Sequence, residues 1–138
     1  MKRTAKAHWS GNLQEGKGEI STQSTVLNET QYSFKTRFAD GIGTNPEELI
    51  AAAHAGCFSM ALSATLAHHN ITADDIYTTA IVDLDMQALS ITGIHLEVKA
   101  SIKGVNEATF TEIAEGAKAH CIISKALSVP ITLSVVYA

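Results

Sequence analysis

Two cysteines are the residues of this chain best suited to nucleophilic or redox chemistry. Cys57 lies in a long segment without acidic or basic side chains, and Cys121 follows in the second half of the sequence. This spacing matches neither a Cys-x-x-Cys pair nor the disulfide framework of a small secreted protein. In a reducing compartment, a bond between the two sulfurs would therefore be transient and catalytic rather than structural. Because free cysteines usually behave as small buried hydrophobes, inert packing remains the alternative for both.

A reactive cysteine needs a cation, a helix N-terminus or a metal close to its sulfur, since the thiolate is the nucleophile. Cys57 lies well inside its predicted helix, where the helix dipole has little effect. Arg37, at the end of a predicted strand, is the candidate cation, although a solvated arginine is the ordinary interpretation. A zinc site is a further alternative, because His54 stands three residues before Cys57. His120 adjoins Cys121 in a similar way, but the spacing matches no established zinc pattern.

The first turn of the same helix carries an acidic residue, Glu47, whose ordinary role is to stabilise the helix N-terminus. Ten residues separate Glu47 from Cys57. On a straight helix this is a rise of about 15 Å, with the two side chains on different faces. If both residues serve one site, either Glu47 comes from a second subunit or the helix is broken.

The segment from Gly43 to Leu62 predicts the start of a long apolar helix. Asn45 is a suitable N-cap, Pro46 suits the first helical position, and Glu48 can complete a capping box. Positions 49–73 contain no Asp, Glu, Lys or Arg, so we expect the helix to be buried on all sides. A membrane span is the competing interpretation, but polar residues interrupt the stretch and no basic flank follows it. Because one sheet covers only one side of such a helix, the sequence predicts an intimate homodimer.

Alternating apolar and polar residues predict strands on both sides of that helix. The predicted strands are 6–9, 18–25 and 32–38 before it, and 80–87, 94–103 and 131–136 after it. A second, amphipathic helix is predicted after Asn106, with apolar residues at three- and four-residue spacing. We therefore expect an α+β fold, with an antiparallel sheet packed on helices, built as a single domain over residues 1–138.

The distribution of charge argues against other classes of protein. The chain has 10 basic and 14 acidic residues, a formal net charge of −4, and its basic residues are scattered. Nucleic-acid binding is therefore not expected. The N-terminus lacks the apolar core of a secretory signal, so we expect a cytoplasmic protein that does not act at a membrane.

Several motifs resemble the osmotically inducible protein C (OsmC) family. They are Ala7-His8-Trp9, Gly16-Lys17-Gly18, Val26-Leu27-Asn28, Thr36-Arg37-Phe38 and, most specifically, the block from Gly43 to Leu62. The short interval between Arg37 and Glu47 favours the OsmC branch over the sister branch of organic hydroperoxide resistance (Ohr) proteins. The resemblance implies an intertwined homodimer in which antiparallel sheets wrap around two buried central helices.

The same resemblance implies a thiol-dependent peroxidase and assigns a role to each site residue. Cys57 matches the cysteine that attacks the peroxide, and Cys121 matches the cysteine that resolves the sulfenate into a disulfide. Arg37 and Glu47 match the pair that activates the thiolate. No metal, haem or flavin is implied. The implied partners are an organic hydroperoxide as substrate and an external dithiol, such as a lipoyl protein, thioredoxin or a small thiol, as reductant.

Two points stay open at the level of the sequence. Apolar neighbours such as Phe58 and Met60 favour organic hydroperoxides over hydrogen peroxide. A non-enzymatic protein that binds an apolar ligand at the dimer seam, with both cysteines structural, is the alternative.

The chain also departs from the family pattern, in which a proline follows the second cysteine, because Ile122 stands there. Without that proline the backbone after Cys121 could continue as helix.

Overall fold

The computed structural model describes residues 1–137 and confirms the α+β class. The elements in chain order are β1 (Ala5–Ser10), β2 (Lys17–Thr22), β3 (Thr30–Tyr32), α1 (Phe34–Phe38), α2 (Pro46–His68), β4 (Asp75–Asp85), β5 (Ser90–Ser101), α3 (Glu107–His120), α4 (Ile122–Ala126) and β6 (Ile131–Tyr137). They form two compact units, one over Met1–Leu49 and one from Ile50 onward. Each unit contains one three-stranded sheet.

The first unit is an antiparallel meander of β1, β2 and β3. Gly18 in β2 pairs with Trp9 on one side and Tyr32 on the other. A Cβ atom at Gly18 would lie 2.3 Å from the Tyr32 ring, so glycine is what lets the two aromatic rings meet over the strand. Their centroids are 5.6 Å apart.

The predicted strand over residues 32–38 is wrong, because the chain turns into helix α1 after Tyr32. A capping box starts this helix. Ser33 Oγ accepts a hydrogen bond from the Thr36 backbone N–H at 3.2 Å, and Thr36 Oγ1 accepts one from the Ser33 N–H at 2.8 Å. Two backbone N–H groups at the start of the helix, which have no partner within the helix itself, thereby gain hydrogen-bond acceptors. Arg37 therefore lies on a short helix, not at the end of a strand.

Helix α2 begins at Pro46, as predicted. The Glu48 N–H donates to Asn45 Oδ1 at 2.7 Å, which is the first half of the expected capping box. The second half is absent, because the Glu48 carboxylate accepts its hydrogen bond from Thr44 Oγ1 instead, at 2.8 Å. The helix then runs unbroken through 23 residues to His68.

The prediction that α2 is buried on all sides is wrong for a single chain. Its buried residues form one stripe at four-residue spacing, namely His54, Phe58, Leu62 and Leu66. The other faces are open: Met60 is 77% exposed, and nothing lies within 4 Å of a Cβ placed on Gly56. By length and composition α2 is apolar enough to cross a membrane, a test that core helices of soluble proteins also pass.

The second sheet departs from the predicted antiparallel arrangement. Strands β4 and β5 are antiparallel, but β6 pairs parallel to β5. The reason is the connection: α3 and α4 lie between β5 and β6 in the chain, and a helical crossover returns the chain in the same direction. The inward residues of β5 are buried in a core shared with the α2 stripe and α3; they are Ile94, Leu96, Val98 and Ala100.

Helix α3 is amphipathic, as predicted, and Asn106 caps it by accepting a hydrogen bond from the Thr109 N–H at 2.8 Å. It ends at His120. Cys121 has φ −57° and ψ 126°, outside the helical region, and α4 begins at the next residue. The backbone after Cys121 is helical, as expected without a proline, but it forms a separate helix because Cys121 itself interrupts the helical conformation.

Candidate active site

The two cysteine sulfurs lie together in the second unit. Cys57 is half-buried on α2, and Cys121 is 1% exposed at the bend between α3 and α4. Their Sγ atoms are 3.1 Å apart, and both side chains are free thiols. At this separation only a local shift is needed for the two sulfurs to form a bond.

The surroundings of the two thiols shift their pKa values in opposite directions. Burial raises the pKa of Cys57 and the neighbouring Cys121 thiol adds to this, while backbone N–H groups of α4 partly offset it. Burial also acts to raise the pKa of Cys121, but hydrogen bonds from the Ser124 backbone N–H, the Cys57 thiol and the Ser124 hydroxyl outweigh it. The pKa of Cys121 is therefore lowered. Sulfurs this close ionise one at a time, so the two thiols titrate as a pair.

The raised pKa of Cys57 matters for its chemistry. Among the described residues, the groups that shift its pKa are backbone and the second thiol rather than a cation. A peroxide is attacked by thiolate, and thiolate at Cys57 needs an added positive charge. The single chain thus presents Cys57 as a shielded but unactivated nucleophile.

An apolar cavity of about 560 Å³ opens beside Cys57. It is lined by Ala53, Cys57, Met60, Ala61, His120, Ile122 and Ile123. Apart from the thiol and one imidazole, this lining offers hydrocarbon and the Met60 thioether. Such a cavity is suited to an apolar ligand with a single reactive group directed at the sulfur.

The pair Arg37 and Glu47 is assembled within the first unit. The guanidinium of Arg37 donates from Nη2 to Glu47 Oε1 at 2.8 Å and from Nε to the same oxygen at 3.1 Å. Asn45 supports this geometry, because its Nδ2 donates to the Thr36 carbonyl at 3.1 Å and ties α1 to the start of α2. The Arg37 side chain remains 42% exposed and that of Glu47 is 12% exposed. The guanidinium is thus oriented by the carboxylate while keeping free donors.

Aromatic side chains surround Arg37 within the same unit. A cavity of about 250 Å³ is lined by Trp9, Leu13, Tyr32, Ser33, Phe34, Arg37 and Phe38. The guanidinium carbon lies 5.3 Å from the centroid of the Phe38 ring, within the range of a cation–π contact. A cation fixed beside aromatic rings can hold a substrate that is apolar except for one oxygen-rich end.

His54 does not serve the zinc site that the spacing suggests as an alternative. Its Nε2 is hydrogen-bonded to Ser124 Oγ at 2.7 Å, and the residue is fully buried. Within residues 1–137, no three His, Cys, Asp or Glu side chains come together in a group able to hold a metal.

Comparison with known proteins places this chain in a family. A family model described as OsmC-like protein matches residues 39–135. Peroxiredoxin OsmC of Escherichia coli (strain K12) is 47% identical over 133 residues, which is 95% of this chain and 93% of that protein. The chain belongs to the OsmC family.

Solved structures of OsmC and Ohr proteins share the fold. The organic hydroperoxide resistance protein OhrB of Bacillus subtilis has a TM-score of 0.70 at 28% identity, covering 96% of this chain and 98% of that one. A Legionella pneumophila protein, described as an organic hydroperoxide resistance protein OsmC, has a TM-score of 0.73 at 27% identity, covering 98% and 96%. The predicted resemblance to the OsmC family is confirmed.

Sequence reasoning misses one contact at the thiols of this OsmC-family chain, the hydrogen bond between His54 and Ser124. The position of His54, three residues before Cys57, is a visible signal, but it suggests only packing or a metal ligand. Ser124 lies 70 residues further along the chain, and no spacing rule connects residues so far apart.

Proposed function

We propose that this protein is a thiol-dependent peroxidase that reduces organic hydroperoxides to alcohols through Cys57 and Cys121. The observation that carries the proposal is the pair of free sulfurs 3.1 Å apart beside an apolar cavity. The names of the relatives agree with it, since one is a peroxiredoxin and others are organic hydroperoxide resistance proteins. The whole chain, residues 1–138, would act as one OsmC-like domain.

The reaction balances with two thiols and one hydroperoxide. The Cys57 thiolate attacks the terminal peroxide oxygen, the O–O bond breaks, and the alkoxide leaves and takes a proton, giving alcohol and a Cys57 sulfenic acid. The Cys121 thiolate then attacks the Cys57 sulfur and displaces hydroxide, which leaves as water. The resulting disulfide is returned to two thiols by an external dithiol, for which a lipoyl protein, thioredoxin or a small thiol are candidates.

In this proposal Arg37 supplies the cation that Cys57 lacks, and Glu47 orients its guanidinium. A planar guanidinium can stabilise the thiolate and donate to the peroxide oxygen that departs. Glu47 and Cys57 belong to one helix that is unbroken from Pro46 to His68, which removes the alternative of a broken helix. We therefore assign the Arg37–Glu47 pair to the cysteine site of a second subunit in a homodimer.

The open faces of α2 support a dimer. A Cβ atom at Gly56 would have nothing within 4 Å, and Met60 is 77% exposed, so a long apolar surface lacks cover in one chain. We expect Met60→Asp to give monomers in sedimentation or gel filtration, because a charge there would be buried at the interface. Leu89→Asp is the matched control, since Leu89 is 70% exposed in the turn between β4 and β5. A monomeric wild-type protein would refute the shared site.

A single-turnover assay tests the proposed function. Reduced protein is mixed with one equivalent of cumene hydroperoxide, and free thiols and alcohol are counted. The peroxidase should lose two thiols per chain and form one alcohol, and cumene hydroperoxide should react faster than hydrogen peroxide because the cavity is apolar. If the hydroperoxide is bound but not consumed, and the thiol count is unchanged, the protein is instead a binder of apolar ligands. We place the reaction in the cytoplasm, where reducing conditions keep both thiols free.

A further inference from the structure

Two contacts join helix α2 to the segment that carries the second cysteine. Cys57 meets Cys121 at 3.1 Å between sulfurs, and His54 meets Ser124 at 2.7 Å between Nε2 and Oγ. His54 lies three residues before Cys57, and Ser124 lies three residues after Cys121. The two contacts are therefore neighbours, about one helical turn apart along α2. The chain runs in opposite directions along α2 and along the segment from Cys121 into α4.

The segment after Cys121 is held by partial packing, since Ile123 and Leu127 are only partly buried against the core. Helix α4 has only five residues and none of them is buried. The bend at Cys121 also lacks a following proline, so the chain itself does not restrict the backbone there. By contrast, His54 is fully buried and belongs to the core stripe of α2. The hydrogen bond from His54 to Ser124 thus connects a partly buried turn to the buried stripe of α2.

A buried histidine is an unfavourable way to fill a core position. Its Nδ1 is buried without a hydrogen-bond partner among residues 1–137, and an unpaired buried polar atom destabilises the folded protein. Burial lowers the pKa of His54, so the ring is neutral near pH 7. Phenylalanine would fill a similar volume without this destabilisation. The hydrogen bond from Nε2 is what an apolar residue could not provide.

We propose that His54 and Ser124 are a positioning pair for the second step of the reaction. Their hydrogen bond holds the bend at Cys121 against α2, so that the Cys121 sulfur stays within reach of Cys57 after Cys57 has become a sulfenic acid. Neither residue touches the peroxide, and the pair acts mainly on the second step. This inference rests on the peroxidase function proposed above and adds to it a division of labour: Arg37 serves the first step and His54 serves the second.

The test separates the two steps in time. Wild type, His54→Phe, His54→Gln and Ser124→Ala are reduced and mixed with cumene hydroperoxide. Sulfenic acid is trapped with dimedone, and disulfide is measured by mass spectrometry after acid quenching. We expect His54→Phe and Ser124→Ala to form disulfide about 10 to 100 times more slowly than wild type, as for a misplaced reacting group, and to slow sulfenic acid formation far less. Under excess hydroperoxide both variants should accumulate sulfinic acid at Cys57.

Two further variants distinguish positioning from general stability. Gln carries an amide N–H near the position of the His54 Nε2, so His54→Gln should restore disulfide formation close to the wild-type rate. Ser59→Ala is the matched control, because Ser59 also lies on α2 and makes a 2.7 Å hydrogen bond, to Thr78. It should leave the rates of both steps unchanged. Ser124→Ala is the second test if His54→Phe does not fold. Because the Ser124 hydroxyl also lowers the pKa of Cys121, the rate of disulfide formation is measured across pH, and a slowing that persists at high pH is the result expected for a lost position.

The outcomes are distinguishable from those of the proposed function. If wild-type protein consumes no hydroperoxide, the peroxidase proposal fails as a whole. If wild type reacts and both variants form disulfide at the wild-type rate, only the positioning pair is refuted. Equal slowing of sulfenic acid and disulfide formation also overturns the proposal, because it indicates a general structural role.

Discussion

The ion pair Arg37–Glu47 and the thiol pair Cys57–Cys121 are surrounded in opposite ways. The first is part of the unit formed by residues 1–49, and its arginine is 42% exposed and lies beside aromatic rings. The second is part of the unit from residue 50 onward, within apolar surroundings that raise the pKa of Cys57. The ion pair holds a positive charge whose guanidinium has free hydrogen-bond donors. The thiol pair holds a nucleophile whose pKa is not lowered by a positive charge. In the proposed mechanism, burial protects the sulfur and the Arg37–Glu47 pair activates it.

The largest effect is expected at the thiol pair. Cys57→Ser should abolish hydroperoxide reduction, because the attacking sulfur is gone. Cys121→Ser should allow one turnover and then stall with Cys57 oxidised, since no second sulfur resolves the sulfenic acid. Intact-mass spectrometry after one equivalent of hydroperoxide is the measurement, and wild type should lose two hydrogens. Identical behaviour of the two variants would contradict the division of roles.

The ion pair should have the next largest effect. Arg37→Ala removes the cation and should raise the pKa of the Cys57 thiol and slow peroxide attack by about 10²-fold or more, as for loss of a charge-stabilising donor. Glu47→Ala leaves the cation but frees it to move, and should slow attack by roughly tenfold. The measurement is the pH dependence of the single-turnover rate. A larger loss from Glu47→Ala than from Arg37→Ala would reverse the proposed order of importance.

Subunit exchange tests whether the two pairs act on each other across a dimer. Inactive Cys57→Ser protein is mixed with the impaired Glu47→Ala protein and left until subunits have exchanged. In each heterodimer one of the two sites would then combine a wild-type Cys57 with a wild-type Glu47, so activity should rise above that of the Glu47→Ala protein. Exchange is verified by native mass spectrometry. Activity that stays at background despite exchange would mean that Glu47 acts within its own chain.

The smallest expected effect is a loss of stability at low pH caused by His54, in the unit that contains both cysteines. Burial lowers the pKa of His54 below its ordinary value of 6.5, so the unfolded chain binds a proton at that residue more readily than the folded one. Stability is therefore fully present above about pH 6.5 and decreases as the pH falls toward the lowered pKa. Urea unfolding at about pH 7.5 and about pH 5 should show a smaller decrease for His54→Gln. An unchanged decrease would show that other groups cause it.

The sequence is most informative where one local rule decides the structure. The start of α2 at Pro46, the cap at Asn106 and the alternation along β5 each follow from short patterns, and each is found. The error at residues 32–38 has the same local origin. The apolar-polar pattern there resembles a strand, but Ser33 and Thr36 form a capping box in which threonine replaces the usual glutamate or glutamine.

Other features depend on contacts between distant residues. The parallel pairing of β6 with β5 follows from the crossover through α3 and α4, which alternation along a strand does not reveal. The burial of α2 on one face alone could not be predicted from its composition, because every face of that helix is apolar. For the site, motif and resemblance identify both cysteines and the ion pair, whereas the contact of His54 with Ser124 requires the fold.

The sequence separation of 64 positions from Cys57 to Cys121 makes the redox state of the pair a matter of chain entropy as well as chemistry. A disulfide that closes a loop of this length restricts the unfolded chain, and this stabilises the folded protein by about 4 kcal/mol. Each catalytic cycle would then pass between a more and a less stable protein. The reductant that resets the site must work against that difference, and melting temperature becomes a direct reporter of how much of the protein is oxidised.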